Sequence, residues 1–162
     1  PVNRETHHPL IRRTDVESAA EMYAAAVEIF PHTDAAILCA AVADFTPAET
    51  FSEKVKREKE NMLLQLKPTR DIAATLGAMK TAGQRLVGFA LETNNEQSNA
   101  RHKLEKKNLD FIVLNSLNDQ GAGFAHDTNK ITIISQKEEK TFPLKQKAEV
   151  ARDIIDCLCS LF

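Results

Sequence analysis

An apolar run, Ala35-Ala36-Ile37-Leu38-Cys39, gives way to small residues and then to one carboxylate in Ala40-Ala41-Val42-Ala43-Asp44. Small side chains let a ligand approach the backbone closely. A carboxylate at such a point can bind a ribose hydroxyl or a metal–phosphate, and a solvated Asp in a strand–helix loop is the bland alternative. Ten positions on stands Lys54, with Lys56 and Arg57 close behind. Lysine acts as a mobile point charge on phosphoryl oxygens, although charge runs by themselves more often mark solvated faces. Gly88-Phe89-Ala90-Leu91-Glu92-Thr93 offers an aromatic wall at a strand end, for a base or ribose or simply for the core. Lys103 and Lys107 stand four apart and share one helical face, where like charges repel unless an anion lies over them. Such residues at strand ends and helix starts are where an open α/β sheet would hold a nucleotide.

The elements that must carry them are legible as alternating patterns. Thr14-Asp15-Val16-Glu17 fits a capping box, followed by Val16, Ala19, Ala20, Tyr23, Ala26, Val27 and Phe30 at three- and four-residue steps, which predicts an amphipathic helix. The run from Ala35 to Ala40 lacks period-two alternation, as expected of a strand covered on both faces. Met62 to Leu66 predicts a short strand, Lys67-Pro68-Thr69-Arg70 a turn, and Asp71 to about Ala82 a helix. Further strands are predicted at Arg85–Ala90 and Phe111–Asn115, with a charged helix from Glu96 to Lys107 between them, Ala100 and Leu104 facing inward. A loop over Ser116–Thr128 carries Gly121, Gly123 and Phe124. Lys130–Ser135 and Thr141-Phe142 then flank a polar turn typical of a hairpin. The last helix, from about Lys145, has Ala148, Ala151, Ile154, Ile155, Leu158 and Leu161 as its apolar face. Strands alternating with helices predict an α/β fold: a Rossmann-like, mostly parallel sheet flanked by helices, with an antiparallel hairpin at one edge.

A chain of 162 residues is long enough for one domain with a real core, taken as residues 1–162. Its 21 basic and 23 acidic residues leave a net charge of -2, which argues against general nucleic-acid binding. No apolar run approaches the ~20 residues of a membrane span, and the polar start Pro1-Val2-Asn3 carries no signal-peptide core. Cys39, Cys157 and Cys159 are an odd, badly spaced set that suits neither zinc nor a disulfide framework, so a reduced, cytoplasmic protein is expected.

Taken in order, Ala-Ala-Val-Ala-Asp, Lys54, the Pro-x-x-Asp-Ile turn, Gly-Phe-Ala-x-Glu-Thr, Lys103 with Lys107, and Leu109-Asp110-Phe111-Ile112-Val113-x-Asn115 form a pattern. It resembles the phosphopantothenoylcysteine synthetase family, the carboxy-terminal half of the bacterial bifunctional coenzyme A biosynthesis flavoprotein, over essentially the whole chain. That resemblance implies a CTP-dependent ligase joining 4′-phosphopantothenate to L-cysteine through an acyl-cytidylate, with magnesium assisting. By position, it implies that Ala40 and Asp44 hold the cytidine end of CTP and that Lys54 faces the phosphates as the catalytic cation. Asp71, Ile72, Phe89, Lys103 and Lys107 match further CTP-contacting positions, with Asn115 as a supporting residue. The family segment Pro-Asp-Ile is interrupted here by Thr69 and Arg70. The stretch from Gly123-Phe124 to Ser135 resembles the family's dimerisation element, implying a homodimer. A fused or partner phosphopantothenoylcysteine decarboxylase half carrying FMN is implied as well. CTP rather than ATP follows from the bacterial type of these motifs.

The family's opening Gly-rich strand–loop–helix, with its Asn-x-Ser-Ser-Gly-Lys-type motif, has no counterpart here, and Pro1-Val2 corresponds to a point after the family's second strand. The expectation is therefore a processed chain or a piece of a longer product, N-terminally incomplete and weak or inactive as a ligase by itself. Two other readings compete. A Rossmann-like dinucleotide-binding oxidoreductase would show a Gly-x-Gly-x-x-Gly fingerprint, which is absent. A non-catalytic nucleotide-binding or dimerisation module would show little dependence on Lys54.

Overall fold

The computed structural model describes residues 8–49, 51, 53–56, 62–92, 94–116 and 126–162. The elements are α1 (Ala19–Ile29), β1 (Ala35–Leu38), β2 (Phe45–Pro47), β3 (Leu66–Pro68), α2 (Ile72–Met79), β4 (Arg85–Glu92), α3 (Glu96–Lys106), β5 (Phe111–Ser116), β6 (Thr128–Ser135), β7 (Glu139–Gln146) and α4 (Lys147–Cys159). Five strands form one sheet in the order β1-β4-β5-β6-β7, and β2 pairs with β3 in a separate antiparallel ribbon. Both β1–β4 and β4–β5 are parallel, whereas β5–β6 and β6–β7 are antiparallel. This is the expected α/β arrangement, a parallel core with an antiparallel hairpin at its edge.

Alternation along the strands divides the core in two. Leu86, Ala90, Ile112, Leu114 and Ile134 meet Ile72 and Leu76 of α2 and Ala100 and Leu104 of α3, with Tyr23, Ala26 and Val27 of α1 packed against them. On the opposite face Val87, Phe111, Val113, Ile131, Ile133 and Phe142 pack against Val150, Ile154 and Leu158 of α4. Gln84, a buried polar residue, closes the end of α1: its Nε2 donates to the carbonyls of Phe30 at 2.7 Å and Thr33 at 2.9 Å. No helix among the described residues is long and apolar enough to cross a membrane.

Several local expectations change. The N-cap of α1 is Ser18, not Thr14: Ser18 Oγ accepts from the Glu21 N–H at 3.1 Å, and the Glu21 carboxylate accepts from the Ser18 N–H at 3.2 Å. The same reciprocal pattern four residues later wins because it starts where the helix can dock Tyr23, Ala26 and Val27. Strand β1 ends at Leu38 and is half-buried throughout, since among the described residues only β4 pairs with it. Cys39 therefore lies beyond the strand and is exposed. The short strand expected from Met62 is confined to Leu66–Pro68, and the apolar run before it is exposed, Leu63 at 97%. In α4 the inward face is Val150, Ile154 and Leu158, while Ala148, Ala151 and Ile155 face outward. The hairpin strands are longer than the sequence suggests, and β7 accepts Pro143 because it is an edge strand with a register shift opposite Asn129/Ile131.

Candidate functional site

One cleft of about 330 Å³ opens beside the carboxyl end of β1. It is lined by Ala40 and Asp44 from the loop after β1, by Asp71 and Ile72 at the start of α2, by Phe89 of β4, and by Lys103 and Lys107 on α3. Seven residues named from sequence thus meet in one concavity, although they span positions 40 to 107. Lys54 is described and exposed but is not among the lining residues. Asn115 is likewise outside the cleft; its Oδ1 accepts from Asn129 Nδ2 at 3.2 Å, joining β5 to β6. Arg57, Thr93 and the Gly121–Phe124 stretch, including the amino-terminal part of the expected dimerisation element, lie outside the described residues.

The loop after β1 is held by hydrogen bonds to its backbone and by Val42, which packs against the core. Val42 N–H bonds to the Ala40 carbonyl at 3.1 Å, making a tight turn that small residues accommodate. Thr69 N–H donates to the Asp44 carbonyl at 2.9 Å and Thr69 Oγ1 to the Ala43 carbonyl at 2.6 Å. Continued by the pairing of Phe45 with Pro68, these bonds carry the turn before α2 against the Asp44 loop. Asp71 then caps α2, accepting from the Ala74 N–H at 3.0 Å.

Each lysine of the cleft is bonded to a carboxylate. Lys107 Nζ lies 3.0 Å from Asp71 Oδ2, and Lys103 Nζ lies 2.6 Å from Glu92 Oε1. Glu92 is also bonded by Asn99 Nδ2 at 3.1 Å, and its side chain is 13% exposed. Burial pushes the Glu92 carboxyl up, but the Lys103 ammonium and the Asn99 amide outweigh it and hold it below its ordinary value. Burial likewise raises Asp71, and the Ala74 N–H together with Lys107 more than reverses that. Two lysines on one helical face are thus each paired with a carboxylate, with no bound anion required.

Glu92 stands in the quoted Gly-Phe-Ala-x-Glu-Thr motif, yet its role was not read from sequence. The signal was the count of charges: a pair of lysines four apart on a partly buried face calls for nearby acids, and Glu92 and Asp71 supply them. Because its folded pKa is depressed, the Glu92 carboxylate stabilises the fold above its ordinary 4.5, and that contribution disappears as pH falls through the lowered folded value. Glu92→Gln is expected to lower the melting temperature at pH 6, and the gap to wild type should close on acidification below pH 4.5. A gap independent of pH in melting curves would show that the charge is not what matters.

Cys39 lines the cleft, and all three cysteines are free. Burial pushes the Cys157 thiol up, which leaves it protonated at the far end of the sheet. Among the described residues, no group of three His, Cys, Asp or Glu side chains could hold a metal ion.

The molecule is similar to proteins of known structure and name. The solved C-terminal domain of the coenzyme A biosynthesis bifunctional protein CoaBC superposes with a TM-score of 0.68 at 36% identity, covering 88% of this chain and 62% of that chain. The DNA/pantothenate metabolism flavoprotein from Streptococcus pneumoniae gives a TM-score of 0.78 over 97% of this chain and 76% of that one; at 19% identity it speaks to the fold alone. Among curated proteins, one from an unknown prokaryotic organism, named cysteine/cysteine sulfinic acid decarboxylase, is 55% identical over 162 residues, 99% of this chain and 45% of that protein. The coenzyme A biosynthesis bifunctional protein CoaBC of Bacillus subtilis (strain 168) is 41% identical over 162 residues, 99% of this chain and 40% of that protein. The chain therefore spans less than half the length of these curated relatives. Residues 1–161 match the DNA/pantothenate metabolism flavoprotein C-terminal domain, and the chain belongs to that family.

Proposed function

We propose that the cleft binds CTP and that the protein containing this chain uses it to join 4′-phosphopantothenate to L-cysteine in coenzyme A biosynthesis. What supports the reading is the convergence of Ala40, Asp44, Asp71, Ile72, Phe89, Lys103 and Lys107 on one cleft. In the first step a carboxylate oxygen of phosphopantothenate attacks the α-phosphorus, the bond to pyrophosphate breaks, and an acyl-cytidylate forms. In the second, the cysteine amine attacks the acyl carbon, the carbon–oxygen bond to CMP breaks, and the amine loses a proton. Asp44, whose carboxylate has no partner among the described residues, is an acceptor for a hydroxyl or amino group of the nucleoside. Lys103 and Lys107, each shared with a carboxylate, line the wall beside the phosphates, and Lys54 neutralises charge that grows in the transition state.

Magnesium, when bound, supplies further neutralisation of the phosphates. Among the described residues the cleft offers a single unpaired lining carboxylate, Asp44, which fits an ion held chiefly by the substrate's own phosphates. The reading includes a cytoplasmic homodimer and a decarboxylase half in the same or a partner polypeptide. Large apolar side chains are exposed on the β2–β3 ribbon and the run leading into it, Phe45, Met62, Leu63, Leu64 and Leu66, a patch of the kind that a second copy covers.

One observation favours the non-catalytic module instead, namely that Lys54 does not line the cleft. The decarboxylase name of the 55% identical relative belongs to a protein of which this chain matches 45%, and no lining residue here argues for that chemistry. The test of nucleotide choice is a thermal-shift comparison of CTP with ATP, magnesium present. Ligand at a hundredfold excess over its dissociation constant should stabilise by about 2.7 kcal/mol, and CTP should give the larger shift. Equal shifts would remove base selectivity from the reading; no shift with either would remove the nucleotide.

A further inference from the structure

The cations of the cleft are not equivalent. Lys103 and Lys107 are each neutralised by a carboxylate, at 2.6 Å and 3.0 Å. Arg70 also lines the cleft, is exposed, and forms no hydrogen bond or ion pair among the described residues. Its guanidinium carbon lies 4.4 Å from the centroid of the Tyr23 ring, and Tyr23 is packed from α1 against the core. That cation–π contact consumes none of the guanidinium's N–H donors. A planar cation held beside a ring, with its donors unspent, in the wall of a concavity, is prepared for an oxyanion that accepts two parallel hydrogen bonds.

The remaining charges say where that anion comes from. With the two lysine–carboxylate pairs cancelled, the unpaired charges lining the cleft among the described residues are Asp44 and Arg70. Thr69 bonds to the backbone of Ala43 and Asp44, so the next residue, Arg70, is held close to the Asp44 loop. A ligand spanning the two must offer donors at one end and phosphoryl oxygens at the other.

We propose that Arg70, oriented by Tyr23, is a binding residue that grips phosphoryl oxygens of the cleft's ligand. The proposal rests on the nucleotide reading above and deepens it. Two sources share this chemistry, the polyphosphate of the nucleotide and the phosphate of phosphopantothenate.

The test is calorimetric titration of wild type, Arg70→Gln, Arg70→Lys and Tyr23→Leu with CTP, with 4′-phosphopantothenate and with inorganic pyrophosphate, magnesium present. Arg70→Gln should weaken binding about tenfold or more, the range for losing a charge-assisted hydrogen bond, with an unchanged melting temperature. Arg70→Lys should recover part of it and Tyr23→Leu should fall between. A loss with CTP alone assigns the grip to the nucleotide, a loss with phosphopantothenate alone assigns it to that substrate, and a loss with both supports a shared phosphoryl subsite. Equal binding by wild type and Arg70→Gln in every arm overturns the proposal even when CTP binds well. If pyrophosphate binds as tightly as CTP and still depends on Arg70, the nucleotide reading fails and the anion grip stands. Failure of wild type to bind any of the three probes overturns both.

Discussion

Lys54→Gln is expected to reduce acyl-cytidylate formation by the full-length protein by about 100-fold or more, with CTP affinity changed much less. Glutamine keeps most of the side chain's length and polarity and removes only the charge. If Lys54 acts where charge grows on the phosphates, the deficit falls on the chemical step, and removal of one such donor costs about 10²–10³ in rate. The ammonium has no partner among the described residues and lies on the long connection between β2 and β3, outside the lining of the cleft. A rapid-quench measurement of pyrophosphate release separates binding from chemistry. A variant retaining more than about a tenth of wild-type turnover would remove Lys54 from the reaction and favour the non-catalytic module.

Gly77→Ala should be the most damaging glycine-to-alanine change among the described residues. A Cβ built at Gly77 would stand 1.9 Å from the backbone carbonyl oxygen of Lys107, and it is backbone that would have to move. That contact seats α2 against the turn that ends α3, where Asn108 adopts φ 50° and donates its Nδ2 to the Gly77 carbonyl at 2.8 Å. Overpacking of this kind costs about 1–3 kcal/mol, and at this chain length each kcal/mol lowers the melting temperature by about 2–4 °C. Displacing the turn would also shift Lys107 from Asp71, so CTP should bind more weakly as well. Gly83→Ala is the control: nothing lies within 4 Å of its Cβ, and its melting temperature should stay within about a degree of wild type. Equal melting temperatures for the two variants would refute the close-approach argument.

The predicted architecture carries over to the structure because both of its signals are local. Continuous apolar runs such as Phe111–Leu114 must be buried on two faces, and Ala100 with Leu104 must face inward on an otherwise charged helix. Element ends were less legible, since competing local solutions differ by little. Thr14 to Glu17 and Ser18 to Glu21 are equally good capping boxes on paper, and docking of α1 chose the second. The same holds for α4, where the apolar residues outnumber the positions that the sheet can cover, so Ile155 is left 46% exposed.

Sequence by itself named residues that the fold brings to one cleft: a carboxylate after small residues, an aromatic at a strand end and two lysines one helical turn apart, with Asp71 entering through the family resemblance. Strand ends and helix faces follow from local apolar patterning, so the elements that bring these residues together are legible in the chain. Only the tertiary structure decided the electrical state of the residues. Glu92 and Lys103 come into contact because β4 and α3 pack side by side, and Asp71 reaches Lys107 because α2 seats Gly77 against the end of α3. Arg70 stayed unpaired among the described residues and lies over the Tyr23 ring for the same reason: which charges cancel depends on distances across elements, which no spacing along the chain reports.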